Sequence, residues 1–168
     1  MPIAQQLLPE FDHEMATTRT LLARVPDAAA TWRPHAKSMS MGELAQHIVN
    51  VVQLAHPIVH SPAFDFAAPE AKPYVTPKYT STTALVEMFD RNVGIARAAI
   101  GAAADASMGE GWTLRAGPKT IMSFPRAVTL RTLILSHIIH HRGQLSVYLR
   151  LNDVPVPAIY GQSADETR

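Results

Sequence analysis

Two histidines four residues apart, His137 and His141, stand in a stretch that reads as a long helix. Four residues advance an α-helix by roughly 400°, so both imidazoles fall on one face, one turn apart. A metal–nitrogen bond is ~2.1 Å long, and side chains that converge at this spacing can share one ion. A HxxxH pair is a weak signal by itself, because core and surface histidines produce it too. Its context adds weight. The same helical stripe carries Leu130, Ile134, Gln144 and Tyr148, a mostly apolar set expected to face the axis of a helix bundle. Two neutral histidines buried there need partners, and a shared cation serves both. His47, set among Leu44, Ile48 and Val51 on another predicted helix, is the natural third donor. Three protein nitrogens leave a coordination position open for water or substrate. Such a donor set suits a divalent ion, with zinc and nickel first and iron and copper also compatible.

The other histidines fit blander roles. His140 points about 60° away from His137 and reads as a packing or supporting residue. His56 lies nine positions after His47, on the opposite side of that helix. His13, His35 and His60 sit early in a helix, in a loop and at a helix end, where solvated histidines are common. The protease signature HExxH is absent, since Ile138 occupies the place of its glutamate. Glu43, one turn before His47, could orient that ring, but a helix-capping role is the simpler reading. Gln144, one turn beyond His141, could touch a ligand or another helix. A pocket beside the ion is expected from Gln144, Tyr148 and the loop around Trp32. No glycine-rich phosphate loop and no Gly-x-Ser-x-Gly elbow is present. No residue is assigned as a catalytic acid or base.

Four helices must position these donors. The first is expected from about Ile3 to Arg24, with Leu7, Leu8, Phe11, Met15, Thr18 and Leu22 at helical spacing. The second starts at Ser40-Met41-Gly42-Glu43, a capping box, and should run to about Val59 unless Pro57 kinks or ends it. Residues 61–80 hold Pro62, Pro69, Pro73 and Pro77, too many for a helix or a central strand, and form a long connection. The third helix spans about Thr83 to Ala104. Trp112–Arg115 and Thr120–Phe124 flank Ala116-Gly117-Pro118-Lys119 as a small hairpin. The fourth helix runs from about Pro125 to Leu151. The expected architecture is one all-α domain over residues 1–168, a four-helix bundle with a long crossover connection and a β-hairpin between helices three and four.

Composition agrees. The chain has 168 residues, 47% of them hydrophobic and 17% charged, enough to bury a core without disulfide or metal support. It has no cysteine, which removes thiolate nucleophiles and cysteine zinc sites. Fifteen basic residues against fourteen acidic ones give +1, which argues against nucleic acid as the partner. Val128–Ile139 is broken by Arg131 and is too short to cross a bilayer, and Met1–Glu10 does not resemble a secretory signal. A cytoplasmic protein with no membrane partner is expected. Helix four looks apolar on several sides, through Val128, Leu135, Ile138, Ile139 and Leu149 as well as its stripe, which suggests a homodimer.

These pieces together resemble the DinB family of DNA-damage-inducible-like proteins, within the wider DinB/YfiT-like group of metal-binding four-helix bundles. The resemblance rests on Trp32-Arg33-Pro34, on Ser40-Met41-Gly42-Glu43-Leu44 leading to His47, on the run from His137 to Gln144, and on Pro157-Ala158-Ile159-Tyr160-Gly161. It implies His47, His137 and His141 as ligands of one divalent ion, an up-down-down-up bundle and, commonly, a homodimer. Family membership does not specify the reaction. Some relatives look like transferases that use low-molecular-weight thiols and act on a small electrophile, some like hydrolases. A non-enzymatic metal-binding or sensory module is the third alternative.

Overall fold

A computed structural model describes residues 2–75 and 77–166. The chain is mostly helical and carries one small sheet. Helix α1 (Ile3–Leu22) is followed by a 3-10 turn at Asp27–Ala29 and a loop through Trp32. Helix α2 (Met41–Gln53) begins where the capping box places it: Glu43 N–H donates to Ser40 Oγ at 3.2 Å, and Ser40 N–H donates to Glu43 Oε2 at 2.7 Å. Each bond satisfies an amide that the first helical turn leaves without a partner. The helix does not reach Val59 unbroken. Pro57 has no N–H to give to the Gln53 carbonyl, so α2 ends at Gln53 and a short α3 (Ala55–His60) restarts after Leu54.

The connection at 61–80 is not structureless. It contains strand β1 (Ala63–Asp65), a 3-10 turn at Pro69–Ala71 and helix α4 (Lys72–Val75). Helix α5 (Thr82–Ala102) starts at Ser81, whose hydroxyl accepts from Ala84 N–H, and a short α6 (Asp105–Met108) follows. Strands β2 (Gly111–Ala116) and β3 (Lys119–Pro125) form the expected hairpin, with Gly117 at φ +60 supplying the left-handed turn residue. Sequence patterning missed β1, which pairs parallel to β2 and gives the order β1-β2-β3. It lies at the edge, and its three residues contain no proline. Trp112 is fully buried between sheet and helices and donates Nε1–H to the Pro57 carbonyl at 3.2 Å.

The last helical stretch is continuous from 126 to 150 but not uniform. Helix α7 (Arg126–Thr129) passes into a π-helical segment (Leu130–Ser136), which passes into α8 (His137–Arg150). The long helices contact one another in the cyclic order α1, α5, α2, α8. Phe11 and Leu22, Leu44 and Ile48, Leu85 and Phe89, and Ile138 and Leu145 meet in the shared core.

The π segment corrects the expected face of this helix. A uniform 3.6-residue period after Ile134 carries the inward stripe through 137, 141, 144 and 148. The buried residues are instead Leu130, Ile134, Ile138, Arg142, Leu145 and Leu149. Each position beyond Ile134 is one residue later, which is the register change produced by the wider i→i+5 turns. His137, His141 and Tyr148 are therefore half-buried at the edge of the core, not on its axis, and Gln144 is exposed. Leu135, Ile138 and Leu149, counted above as surplus apolar surface, are core residues; Val128 stays exposed.

Candidate metal centre

Helix α2 presents His47 and the start of α8 presents His137 and His141. The three rings converge. His47 Nε2 lies 3.3 Å from His137 Nε2, and the ring centroids are separated by 5.1 Å (His47–His137), 4.6 Å (His47–His141) and 4.6 Å (His137–His141). One nitrogen from each ring lies within 4.8 Å of the other two. Two ligands at ~2.1 Å from a tetrahedral ion are about 3.4 Å apart, so the His47–His137 separation already fits shared coordination. The site is half-buried rather than deep, but none of the three rings is turned out to bulk solvent.

The electrostatics favour neutral rings. His47 is pushed down from 6.5 to about 4, first by burial and then by the neighbouring His141 and His137. His137 is lowered by burial and by His141, against the opposing effect of its hydrogen bond with the Leu133 backbone. His141 is lowered chiefly by burial. A neutral imidazole keeps a lone pair for a cation, and metal binding competes with protons for that lone pair. Among the described residues, this is the one group of three or more histidine or carboxylate side chains able to hold an ion.

Gln144 has a definite task. Its Oε1 lies 2.7 Å from His141 Nδ1, so in the tautomer with Nδ1–H the ring donates to the amide and turns a bare Nε2 toward the other histidines. It orients one of the three converging rings, and it borders neither of the clefts that reach His47. Tyr148 packs edge-on against Trp32 at 5.5 Å between centroids, and the loop around Trp32 borders a cleft that reaches His47. Glu43 is occupied by its cap and by Arg33, 3.5 Å away, in line with the capping role read from the sequence. His140 is exposed, with its ring 4.9 Å from His141, and His13, His35, His56 and His60 are exposed.

Two features escaped the sequence reading. Asn50, one turn beyond His47, accepts from Gln46 Nε2 at 2.9 Å and donates to the Pro77 carbonyl at 3.3 Å, tying the 61–80 connection to α2 beside the triad. Its i+3 spacing from His47 was the available signal. The second is a buried ion pair behind α8, covered by an exposed tyrosine. Arg142, 1% exposed, pairs with Glu14 at 2.7 Å and donates to Tyr160 Oη at 2.5 Å, while that hydroxyl meets both Glu14 oxygens at 3.0 and 2.9 Å. This cluster locks α8 against α1 and draws in the C-terminal segment, which gives Arg142 a structural role next to His141.

Two clefts of opposite character meet at His47 and Asn50. One, about 720 Å³, is bordered by Arg33, Lys37 and Lys78, by the single carboxylate of Glu43, and by several hydroxyl and amide groups. The other, about 330 Å³, has mainly apolar walls and reaches both His47 and His137. A further cleft of about 590 Å³ near His56 and Ile95 does not include the triad.

The model of the DinB superfamily matches residues 10–145 of the chain. A DinB-like protein from Bacillus cereus ATCC 10987 has a similar structure, with a TM-score of 0.68 and 22% identity over 91% of this chain and 95% of that one. A protein from Exiguobacterium sibiricum 255-15, described as a putative member of the DinB family, superposes with a TM-score of 0.65 at 22% identity, covering 89% of this chain and 92% of that one. No curated protein matches the chain.

Proposed function

The chain belongs to the DinB superfamily, and from that premise we propose that it is a divalent-metal enzyme that transfers the sulfur of a small polar thiol to an apolar electrophile. The observation that carries this reading is the position of three converging, neutral imidazoles at the junction of a cationic cleft and an apolar one. The four long helices are read as the bundle of that family, with 61–80 as its crossover.

His47, His137 and His141 would hold the ion, most readily zinc or nickel. Neutral ligands leave a divalent cation its full charge, so when bound it acidifies a thiol strongly at neutral pH. The chain's own side chains then divide the remaining work. Gln144 keeps His141 in the ligating tautomer. Lys37 and Lys78, beside an Arg33 already paired with Glu43, attract a thiol that bears carboxylates or other anionic groups. Asn50 holds Pro77, and with it the Lys78 side of the cleft, against α2. In the transfer the S–H bond gives its proton to solvent, a C–S bond forms, and the displaced group leaves with the electron pair of its bond to carbon.

Hydrolysis is the weaker reading, because a water nucleophile benefits from a general base and Glu43, the carboxylate one turn before His47, is engaged by Ser40 and Arg33. Protein purified without a polyhistidine tag should contain about one divalent ion per chain. It should conjugate at least one low-molecular-weight thiol to an aryl chloride, and lose that turnover on chelation and in His137→Ala. Turnover that survives chelation unchanged overturns the enzyme reading. A metal-replete protein inactive with every thiol supports the sensory alternative instead. A homodimer in the cytoplasm belongs to the same proposal, and light scattering at micromolar concentration tests the assembly.

A further inference from the structure

The apolar cleft beside the triad draws its walls from several distant segments as well as from Val51 and Leu54. Phe66 and Tyr74 come from the 61–80 connection, Leu114 and Ile121 from the hairpin, and Leu133 from the π segment. Their placement is organised from below. Phe64 is buried, pairs with Leu114 in the β1–β2 register, and holds Phe66 and Tyr74 edge-on at 5.3 and 5.0 Å between centroids. Phe66 N–H donates to the Arg115 carbonyl at 3.0 Å, extending the sheet contact past β1.

Ile121 reaches the cleft by a specific device. Leu114 pairs with Met122, and Arg115 pairs with Thr120, so Ile121 is the extra, unpaired residue of a β-bulge. A bulge re-aims a side chain that regular alternation would direct elsewhere. Phe66 and Ile121 remain 37% and 49% exposed at the mouth. Large apolar side chains left this wet beside a reactive cluster gain from a ligand that covers them. At about 330 Å³ the cleft is roughly twice an apolar cavity that accepts benzene. Besides the Tyr74 hydroxyl, its polar lining comes from His47, His137 and Asn50.

We infer that this cleft is the specificity pocket for the electrophile, and that the substrate class is a molecule with one reactive polar end and an apolar aliphatic or aromatic body on the order of ten heavy atoms. The reactive end lies at the triad, the body lies between Phe66 and Leu133, and Ile121 sets how long a body fits. This assignment rests on the metal reading above only for the direction in which the ligand points.

The test uses zinc-loaded protein and a series of straight-chain alkyl hydroxamates as probes, since a hydroxamate head binds zinc while its tail samples the neighbouring surface. Calorimetry should show affinity rising about threefold to fourfold per methylene from the acetyl member to about the octanoyl member. Ile121→Lys, at a half-exposed position, should abolish this rise with chain length. Ile121→Trp should end the rise at a shorter chain. Affinity independent of chain length in the wild-type protein overturns the cleft assignment, and so does a rise that persists in Ile121→Lys. The metal reading fails separately, through acetohydroxamate binding that is indifferent to chelation. The tail effect is a ratio between homologues and keeps its meaning in either case.

Discussion

Acidifying the metal-free protein should cost stability through the histidine triad, and His47 gives the size of the effect. In the unfolded chain its ring titrates near 6.5, whereas in the folded protein burial and the facing His141 and His137 hold it at about 4. Between these values the unfolded state binds a proton that the folded state excludes. Stability is therefore fully present above about pH 6.5 and is lost as pH falls toward 4. At ~1.4 kcal/mol per pH unit the whole interval corresponds to about 3 kcal/mol, which the partial solvent exposure of the ring reduces to about 1–2 kcal/mol. His137 and His141 are lowered for the same leading reason and act in the same direction. Urea unfolding of metal-free protein at pH 7.5 and pH 4.5, beside His47→Gln, isolates the contribution of His47, because glutamine keeps the polarity and removes the titration. The wild-type protein should lose about 1–2 kcal/mol more than the variant across this interval. Equal losses would refute the claim that the folded triad excludes protons, and with it the argument that the rings are held ready for a cation. Bound zinc should steepen the wild-type loss, since protons then also compete with the ion.

Elemental analysis should find His137→Ala without its ion and His140→Ala with it, since only the former ring belongs to the converging set. Gln144→Leu should lower zinc affinity about 10- to 100-fold in competition with a chelating dye, at unchanged far-ultraviolet circular dichroism, because it frees the His141 ring without touching the core. Glu14→Gln should destabilise the protein by ~3 kcal/mol or more, since Arg142 is then buried without its counter-charge, while Tyr160→Phe should cost only about 1–2 kcal/mol; urea midpoints that place Glu14→Gln within 1 kcal/mol of wild type contradict this. Gly42→Ala should cost about 1–2 kcal/mol in the same assay, because the added Cβ lies 3.0 Å from the Tyr79 ring and 3.1 Å from the Ala30 carbonyl oxygen.

Much of the molecule is written locally and could be read without coordinates. The capping box at Ser40 and Glu43 needs only four residues, and it begins α2 where the pattern says. Gly117 makes the hairpin turn by its own backbone freedom. The i,i+4 spacing of His137 and His141 is a property of one helix, and His47 joins them through its apolar setting on a second helix and through the family resemblance. Other features depend on what lies far away in the chain. Strand β1 is three residues long and exists because β2 offers it an edge. Ile121 enters a cleft through a bulge that only strand pairing defines. Arg142 looks like one more polar residue of a histidine-rich run until Glu14 and Tyr160 close around it.

The boundary between the two kinds of information runs through the π segment. The residues themselves determined that two imidazoles share one face and that His47 stands on a second helix; helical periodicity needs nothing more. Which way that face points was decided by the packed molecule. Seven residues of wider turns advance the buried stripe by one position, so Ile138, Arg142 and Leu145 take the core and the histidines are left at its edge, beside the clefts. Residue type does not mark such a segment, because its backbone geometry is set by the side chains packed around it.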